Sequence, residues 1–238
     1  LLELPLALFG ITIATVILPG LSREYAEKSP QAFSDTLNWA LKLALVFGVP
    51  ASFALVLLSR ELIAVLFFIG EMTVRDVTMA GWSLAAYGFG LLGHIWVKVL
   101  APGYFARQDT RTPVRYGVIS LVANMILNLM LIWHLKHVGL ALATSLSAFL
   151  NAGLLFVGLK RTGILKLETG WGMFLMKIFL AAAVMSIALY YWMPDMSFWF
   201  AEDFFIRLGC MLLICIAGAV IYAAGLMLLG INVKQLAR

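Results

Sequence analysis

The sequence predicts an all-α, polytopic membrane helix bundle with seven transmembrane helices, and three observations carry that prediction. Hydrophobic residues make up 63% of the chain and charged residues only 12%, where a soluble domain is about half apolar and about a quarter charged. The apolar residues gather into seven runs, near 4–21, 38–59, 82–104, 114–133, 138–159, 172–193 and 206–230. A hydrocarbon core about 30 Å thick takes roughly 20 such residues per helix. The runs are continuous rather than alternating, so each closes its own backbone hydrogen bonds as a helix, and a barrel is excluded.

The third observation is where the charges fall. Arg23, Lys28, Arg107, Arg111, Arg115, Lys160, Arg161, Lys166, Lys234 and Arg238 lie on one side of this topology. Arg60, Arg75, Lys136 and Arg207 lie on the other, and Lys42, Lys98 and Lys177 fall within or near spans. Cytoplasmic loops hold the basic excess, so the first group and the C-terminus are expected inside. The net charge of +5 is therefore a membrane-orientation signal, not one for nucleic acid. With seven spans and an inside C-terminus, the chain starts outside. It opens Leu1-Leu2-Glu3-Leu4-Pro5, without initiator Met or leader, as the C-terminal part of a longer transporter is expected to do.

The elements follow in order. The first span ends near Pro19-Gly20, and Ser22 to Thr36 makes a polar connection. Within it, Ser29-Pro30 fits an N-cap and first helical residue, and a short surface helix from Gln31 leads into the second span. Pro50 interrupts that span, so a freed carbonyl must find another donor. Residues 61–70 are apolar but too short to cross, which fits an interfacial or re-entrant helix. The third span carries Gly88, Gly90, Gly93 and Gly103, which permit close helix approach. Only His134 to Val138 separates the fourth and fifth spans, forcing an antiparallel hairpin. A basic loop, Lys160 to Gly172, precedes the sixth. Trp192, Phe198, Trp199 and Phe200 fit an aromatic belt at the outer boundary.

Polar residues inside spans are costly and usually face a cavity or a partner helix. Glu3 is either a solvated carboxylate at the membrane edge or a cavity-lining acid. His94 and Lys98 stand i, i+4 on one face of the third span. Lys98 either snorkels to the interface or attracts an anionic substrate. Asn124 and Asn128 share a face of the fourth span, and Thr144, Ser145 and Ser147 occur in its hairpin neighbour. Hydrogen bonding between helices is the default there, with cation coordination as the alternative.

The densest charge lies in the hinge from Ala106 to Arg115. Thr112-Pro113 fits a helix start. Arg107, Arg111 and Arg115 supply three positive charges, and Asp109 can pair with one of them. The hinge reads as a positive-inside anchor, as a gate latch, or as a phosphate dock through bidentate guanidinium contacts. Cys210 and Cys215 are spaced wrongly for a metal knuckle, so no metal site is expected. No nucleophile elbow or phosphate-binding glycine loop occurs, and the chain is not expected to be an enzyme.

The run Lys98-Val99-Leu100-Ala101-Pro102-Gly103-Tyr104-Phe105-Ala106-Arg107-Gln108-Asp109-Thr110-Arg111-Thr112-Pro113-Val114 resembles the hallmark of the MurJ/MviN lipid II flippases, in the multidrug/oligosaccharidyl-lipid/polysaccharide exporter superfamily. The opening Leu1-Glu3-Leu4-Pro5, with Ile17-Leu18-Pro19-Leu21-Ser22, is similar to that family's eighth helix. The resemblance implies fourteen helices in two lobes. This chain would supply the eighth to the fourteenth: a MATE-like C-terminal lobe over 1–160 and two extra helices over 161–238 that form a lipid-tail groove. It further implies a bacterial inner-membrane protein whose partners are lipid II, membrane lipids and the N-terminal half of the same transporter.

Glu3, Lys98, Arg107, Asp109 and Arg111 become the substrate-cavity or gate residues under that resemblance. Asn124, Asn128 and Thr144 match a sodium site, one ligand of which is an acid in sodium-binding members. No cofactor is implied beyond a coupling ion, sodium or proton. Exporters of other lipid-linked glycans or of drugs share the fold, and a non-transporting scaffold is the remaining alternative.

Overall fold

A computed structural model describes residues 1–231. Its elements are α1 (Glu3–Ala26), α2 (Pro30–Leu57), α3 (Ser59–Phe67), α4 (Val74–Phe105), a long helical stretch Arg111–Arg161, then α7 (Trp171–Trp192), α8 (Met196–Ala201) and α9 (Phe204–Leu228). At 51 residues the long stretch would measure roughly 77 Å as one rod, far more than a bilayer. It is instead two arms, α5 (111–135) and α6 (137–161), folded back at Lys136, whose φ of 51° and ψ of −130° are non-helical. The arms touch at once, since a Cβ on Gly139 would stand 2.6 Å from the Leu131 carbonyl oxygen. The expected hairpin therefore exists. Together with the other long helices it makes seven spans.

Helix ends differ from the sequence expectation. Proline is tolerated inside membrane helices, and α1 runs through Pro19 to Ala26, passing through π geometry over Leu6–Ile11. The polar connection shrinks to a turn, because α2 is one continuous helix from Pro30 with no separate surface helix. Ser29 makes no side-chain cap bond there. Lys234 and Arg238, two of the expected inside charges, lie outside the described residues.

α2 and α4 form the centre. Leu37, Leu41, Leu91, Ile95 and Leu100 are almost wholly buried between α1, α2, α4 and α6. A second apolar cluster joins the other end of α2 to α3, α7 and α9. Glycine lets α4 lie close on its neighbours: Gly88 faces Leu55 and Val56 of α2, and Gly90 and Gly93 face Ser145 and the Ala148–Phe149 backbone of α6.

Side chains meet the backbone demands that the apolar runs create. Pro50 has no N–H for the carbonyl one turn earlier, that of Val46. The Tyr222 hydroxyl of α9 donates to that carbonyl at 2.9 Å. The loop before α7 is pinned by Asn38, which donates to the Lys166 carbonyl at 2.8 Å and accepts from Trp171 Nε1 at 2.9 Å. Lys42 pairs with Glu168 beside it. Trp199, expected in an aromatic belt, is fully buried and donates to the Pro194 carbonyl. Trp192 is exposed, as a belt residue would be.

Candidate functional site

Three helices converge on one polar groove of about 410 Å³. α4 supplies His94 and Lys98, α5 supplies Ser120 and Asn124, and α6 supplies Thr144, Ser147 and Asn151. Helical spacing explains the grouping. Residues 94 and 98, 120 and 124, and 144, 147 and 151 each recur at three or four positions and so share a face. The hairpin at Lys136 sets α5 against α6 and brings their polar faces together.

Within the groove, Asn124 Nδ2 donates to Ser147 Oγ at 3.2 Å and to Thr144 Oγ1 at 3.5 Å. Asn128 Nδ2 donates to Asn124 Oδ1 at 2.9 Å. The Asn128 and Asn151 carbonyl oxygens are buried and hold no hydrogen bond. The lining therefore offers buried neutral oxygen acceptors and one ammonium, from Lys98. His94 does not reach across, since its Nδ1 lies 2.9 Å from the Gly90 carbonyl on its own helix. α1 closes one flank, where a Cβ on Gly10 would meet the Lys98 stem at 3.5 Å. Such a groove suits a ligand with hydroxyl or amide donors and a negative group.

Lys98, Asn124 and Thr144 thus share the groove, and Asn128 stands immediately behind it. The other sequence candidates lie elsewhere. Glu3 is exposed at the start of α1, about two turns from Gly10. Arg111 is exposed at the start of α5. Arg107 lines a separate cavity at the turn ends.

Among the described residues, Asp109 has no arginine within ion-pair distance. Its carboxylate accepts from the Thr112 backbone N–H at 3.0 Å and so caps α5, whose first helical residue is Arg111 rather than Pro113. The hydrogen bonds from Thr112 hold this carboxyl below its ordinary value of 3.8. The preceding turn uses Gln108 at φ 59° to end α4, a left-handed position usually given to glycine.

Ser120 and Asn151 were not singled out from the sequence, although the signal was present. Ser120 extends the Asn124–Asn128 ladder by one turn, and Asn151 extends the Thr144–Ser147 face. Glu61 and Arg207 left no such pattern. Glu61 is buried in α3 with one carboxylate oxygen lacking a hydrogen bond, and Arg207 is buried at the start of α9.

An apolar cavity of about 550 Å³ lies on another side of the bundle, lined by Phe53 and Val56 of α2, Phe89 of α4, Phe149 of α6, and Phe179 and Ser186 of α7. Among the described residues its lining includes none from α9.

The family model "Lipid II flippase MurJ" matches residues 1–209. The chain belongs to the MurJ lipid II flippase family. A "Probable lipid II flippase MurJ" of Vibrio cholerae is 44% identical over 236 residues, covering 99% of this chain and 45% of the relative. One of the same description from Haemophilus influenzae is 40% identical, covering 99% and 47%. The chain thus spans somewhat under half the length of these relatives. A solved structure, "Lipid II flippase MurJ, inward closed conformation", superposes with a TM-score of 0.80 at 24% identity, covering 99% of this chain and 46% of that one. Likeness at that identity supports the MurJ fold. The spanning helices and MurJ membership make this a multi-pass protein of the bacterial inner membrane, in a family of transporters rather than catalysts.

Proposed function

We propose that this chain is the C-terminal portion of a lipid II flippase, which moves the undecaprenyl-pyrophosphate-linked precursor from the inner to the outer leaflet by alternating access. The carrying observation is the polar groove of α4, α5 and α6, which gathers donors, acceptors and one cation from three spanning helices. In this reading the groove forms one wall of a central cavity whose other wall is the N-terminal half of the same transporter. Lys98 attracts the pyrophosphate, while Asn124, Thr144 and Asn151 meet sugar or peptide groups. Glu3 contributes to cavity electrostatics, and Arg107 and Arg111 steer or latch on the cytoplasmic side, where the C-terminus also lies. The apolar cavity beside Phe179 takes the polyprenyl tail, with α7 and α9 as its scaffold, and other membrane lipids fill it between cycles.

Lys98→Glu tests the reading directly. A charged hydrogen bond contributes about 1.5–3 kcal/mol, so lipid II translocation is expected to fall by roughly tenfold or more. Lys98→Arg is expected to keep most of it. Unchanged translocation of labelled lipid II in Lys98→Glu, with protein amounts matched, sinks the assignment.

The coupling ion is a separate matter. Asn128 supplies a carboxamide where sodium-binding relatives of the resembling family carry an acid, and its Nδ2 is already bonded to Asn124. A sodium site built on neutral oxygens alone binds weakly, so a proton or the membrane potential is the favoured driver. Thermal unfolding in sodium against potassium chloride at equal ionic strength is expected to show no difference for the natural chain. Asn128→Asp is expected to gain a sodium-dependent rise. A sodium-dependent rise already present in the natural chain overturns this expectation.

A further inference from the structure

We infer that the cavity enclosed by the turns after α1, α4 and α6 is a binding site for the head group of a zwitterionic glycerophospholipid of the ethanolamine type. This inference does not rest on the transport reading.

The cavity measures about 630 Å³ and is lined by Glu24, Lys28, Ser29, Arg107 and Thr162, among others. Its volume falls in the ordinary range for a small ligand, about 300–1,000 Å³. Two cations line it, and among the described residues neither Lys28 nor Arg107 has a carboxylate within ion-pair distance, with Asp109 standing near enough for its carboxyl to feel Arg107. The N-terminal end of the 28-residue helix α2 opens at the same place, and Ser29 leaves it without a side-chain cap. Uncapped N–H groups at a helix start, together with a guanidinium and an ammonium, form a phosphate-binding arrangement.

Glu24 adds the opposite requirement. Its Oε1 accepts from the Thr36 hydroxyl at 2.8 Å, while Oε2 is buried and holds no hydrogen bond. A buried carboxylate oxygen without a donor is costly. A purely anionic head group is repelled by the Glu24 carboxylate, and a purely cationic ligand meets Lys28 and Arg107. A phosphate carrying an ammonium a few atoms away satisfies both. The cavity also sits where the spanning helices end, and basic pockets between membrane helices are recognised lipid sites.

The test is lipid retention by the purified protein in native mass spectrometry, after equilibration with equal amounts of phosphatidylethanolamine and phosphatidylglycerol. The natural chain is expected to keep phosphatidylethanolamine preferentially. Arg107→Gln is expected to cut that retention about fivefold, in line with roughly 1 kcal/mol per basic residue near lipid. Glu24→Gln is expected to bring the two lipids to parity without loss of total lipid, and Lys28→Gln provides a second phosphate-side variant. Arg115→Gln, on the same face but outside the cavity, is expected to change nothing. Equal retention of the two lipids by the natural chain overturns the inference, as does an Arg107→Gln variant that binds normally. Displacement of the lipid by soluble phosphoethanolamine overturns it too, by assigning the site to a free metabolite. Because no transport is measured, failure here leaves the flippase reading standing, and the reverse also holds.

Discussion

Gly90→Val is expected to yield no folded, monodisperse protein. A Cβ at Gly90 would stand 2.3 Å from Ser145 Oγ, 2.5 Å from Ser145 Cβ and 2.6 Å from Ser145 Cα. The last of these is backbone, so no rotamer change relieves it, and α4 and α6 must part. Parting costs more than the local clash. Ser145 Oγ donates to the Ala86 carbonyl at 2.6 Å across this contact, and Gly93 rests on the Phe149 backbone one turn further, with a Cβ there 2.9 Å from the amide nitrogen. Overpacking typically costs about 1–3 kcal/mol, and a lost seam of close van der Waals contact adds to that in a membrane, where packing is what holds helices together. Gly90→Ala already places the Cβ in collision and is expected to lower the thermal midpoint by about 10 °C, taking 2–4 °C per kcal/mol for a chain of this size. Gly117→Ala, with nothing within 4 Å of its added Cβ, is the matched control. Equal thermal stability of Gly90→Val and Gly117→Ala, read by fluorescence-detected size exclusion during heating, rules out the close seam.

That seam was partly legible beforehand, and the reason is instructive. The glycines of the third span announced close approach, yet nothing local said which helix approaches. Hydropathy identified all seven spans because the bilayer imposes one length and one polarity on every spanning helix. Helix ends escaped it, since Pro19 and Pro50 break helices in water but not where neighbouring groups take over the freed backbone. Pro50 shows the boundary of sequence reasoning well: the need for a donor to Val46 follows from its ring alone, while the donor, Tyr222, lies 176 residues away. The groove was half legible for a similar reason. The Asn124–Asn128 and Thr144–Ser147 faces stood out by spacing, and the short hairpin implied that they meet. Ser120 and Asn151 continued both faces but blended into ordinary polar punctuation. The burial of Arg207 was not legible, because a lone arginine at the edge of an apolar run looks like a loop charge facing water.

Arg207→Leu is accordingly expected to loosen the closing helices from the lobe. Arg207 is only 7% exposed, and its Nη1 donates to the Ala64 carbonyl at 3.1 Å and the Trp199 carbonyl at 3.2 Å. Both carbonyls belong to the last turns of short helices, α3 and α8, where the negative end of the helix dipole favours a cation. The guanidinium also lies 5.9 Å over the Phe68 ring, and Phe68 in turn packs edge-on against Phe200. One side chain therefore ties α3, α8 and α9 together at one end of the bundle. Tyr222 ties α9 to α2 about 22 Å further along the helix, so α9 is held at two separated points. Removing Arg207 takes the side-chain donor from the Trp199 carbonyl and leaves the Ala64 carbonyl only the Phe68 backbone N–H at 3.3 Å. Losing a buried hydrogen bond to a charged group in this way costs roughly 1.5–3 kcal/mol. Arg207→Lys keeps the charge but not the forked reach and is expected to lose about half as much. Hydrogen exchange over 194–206 is expected to accelerate sharply in Arg207→Leu while 40–48, near the Tyr222 contact, stays protected. Arg75→Leu, an exposed charge on α4, should be silent in the same experiment. If exchange over 194–206 is unchanged in Arg207→Leu, this end of α9 is held by apolar packing and the cation is a passenger.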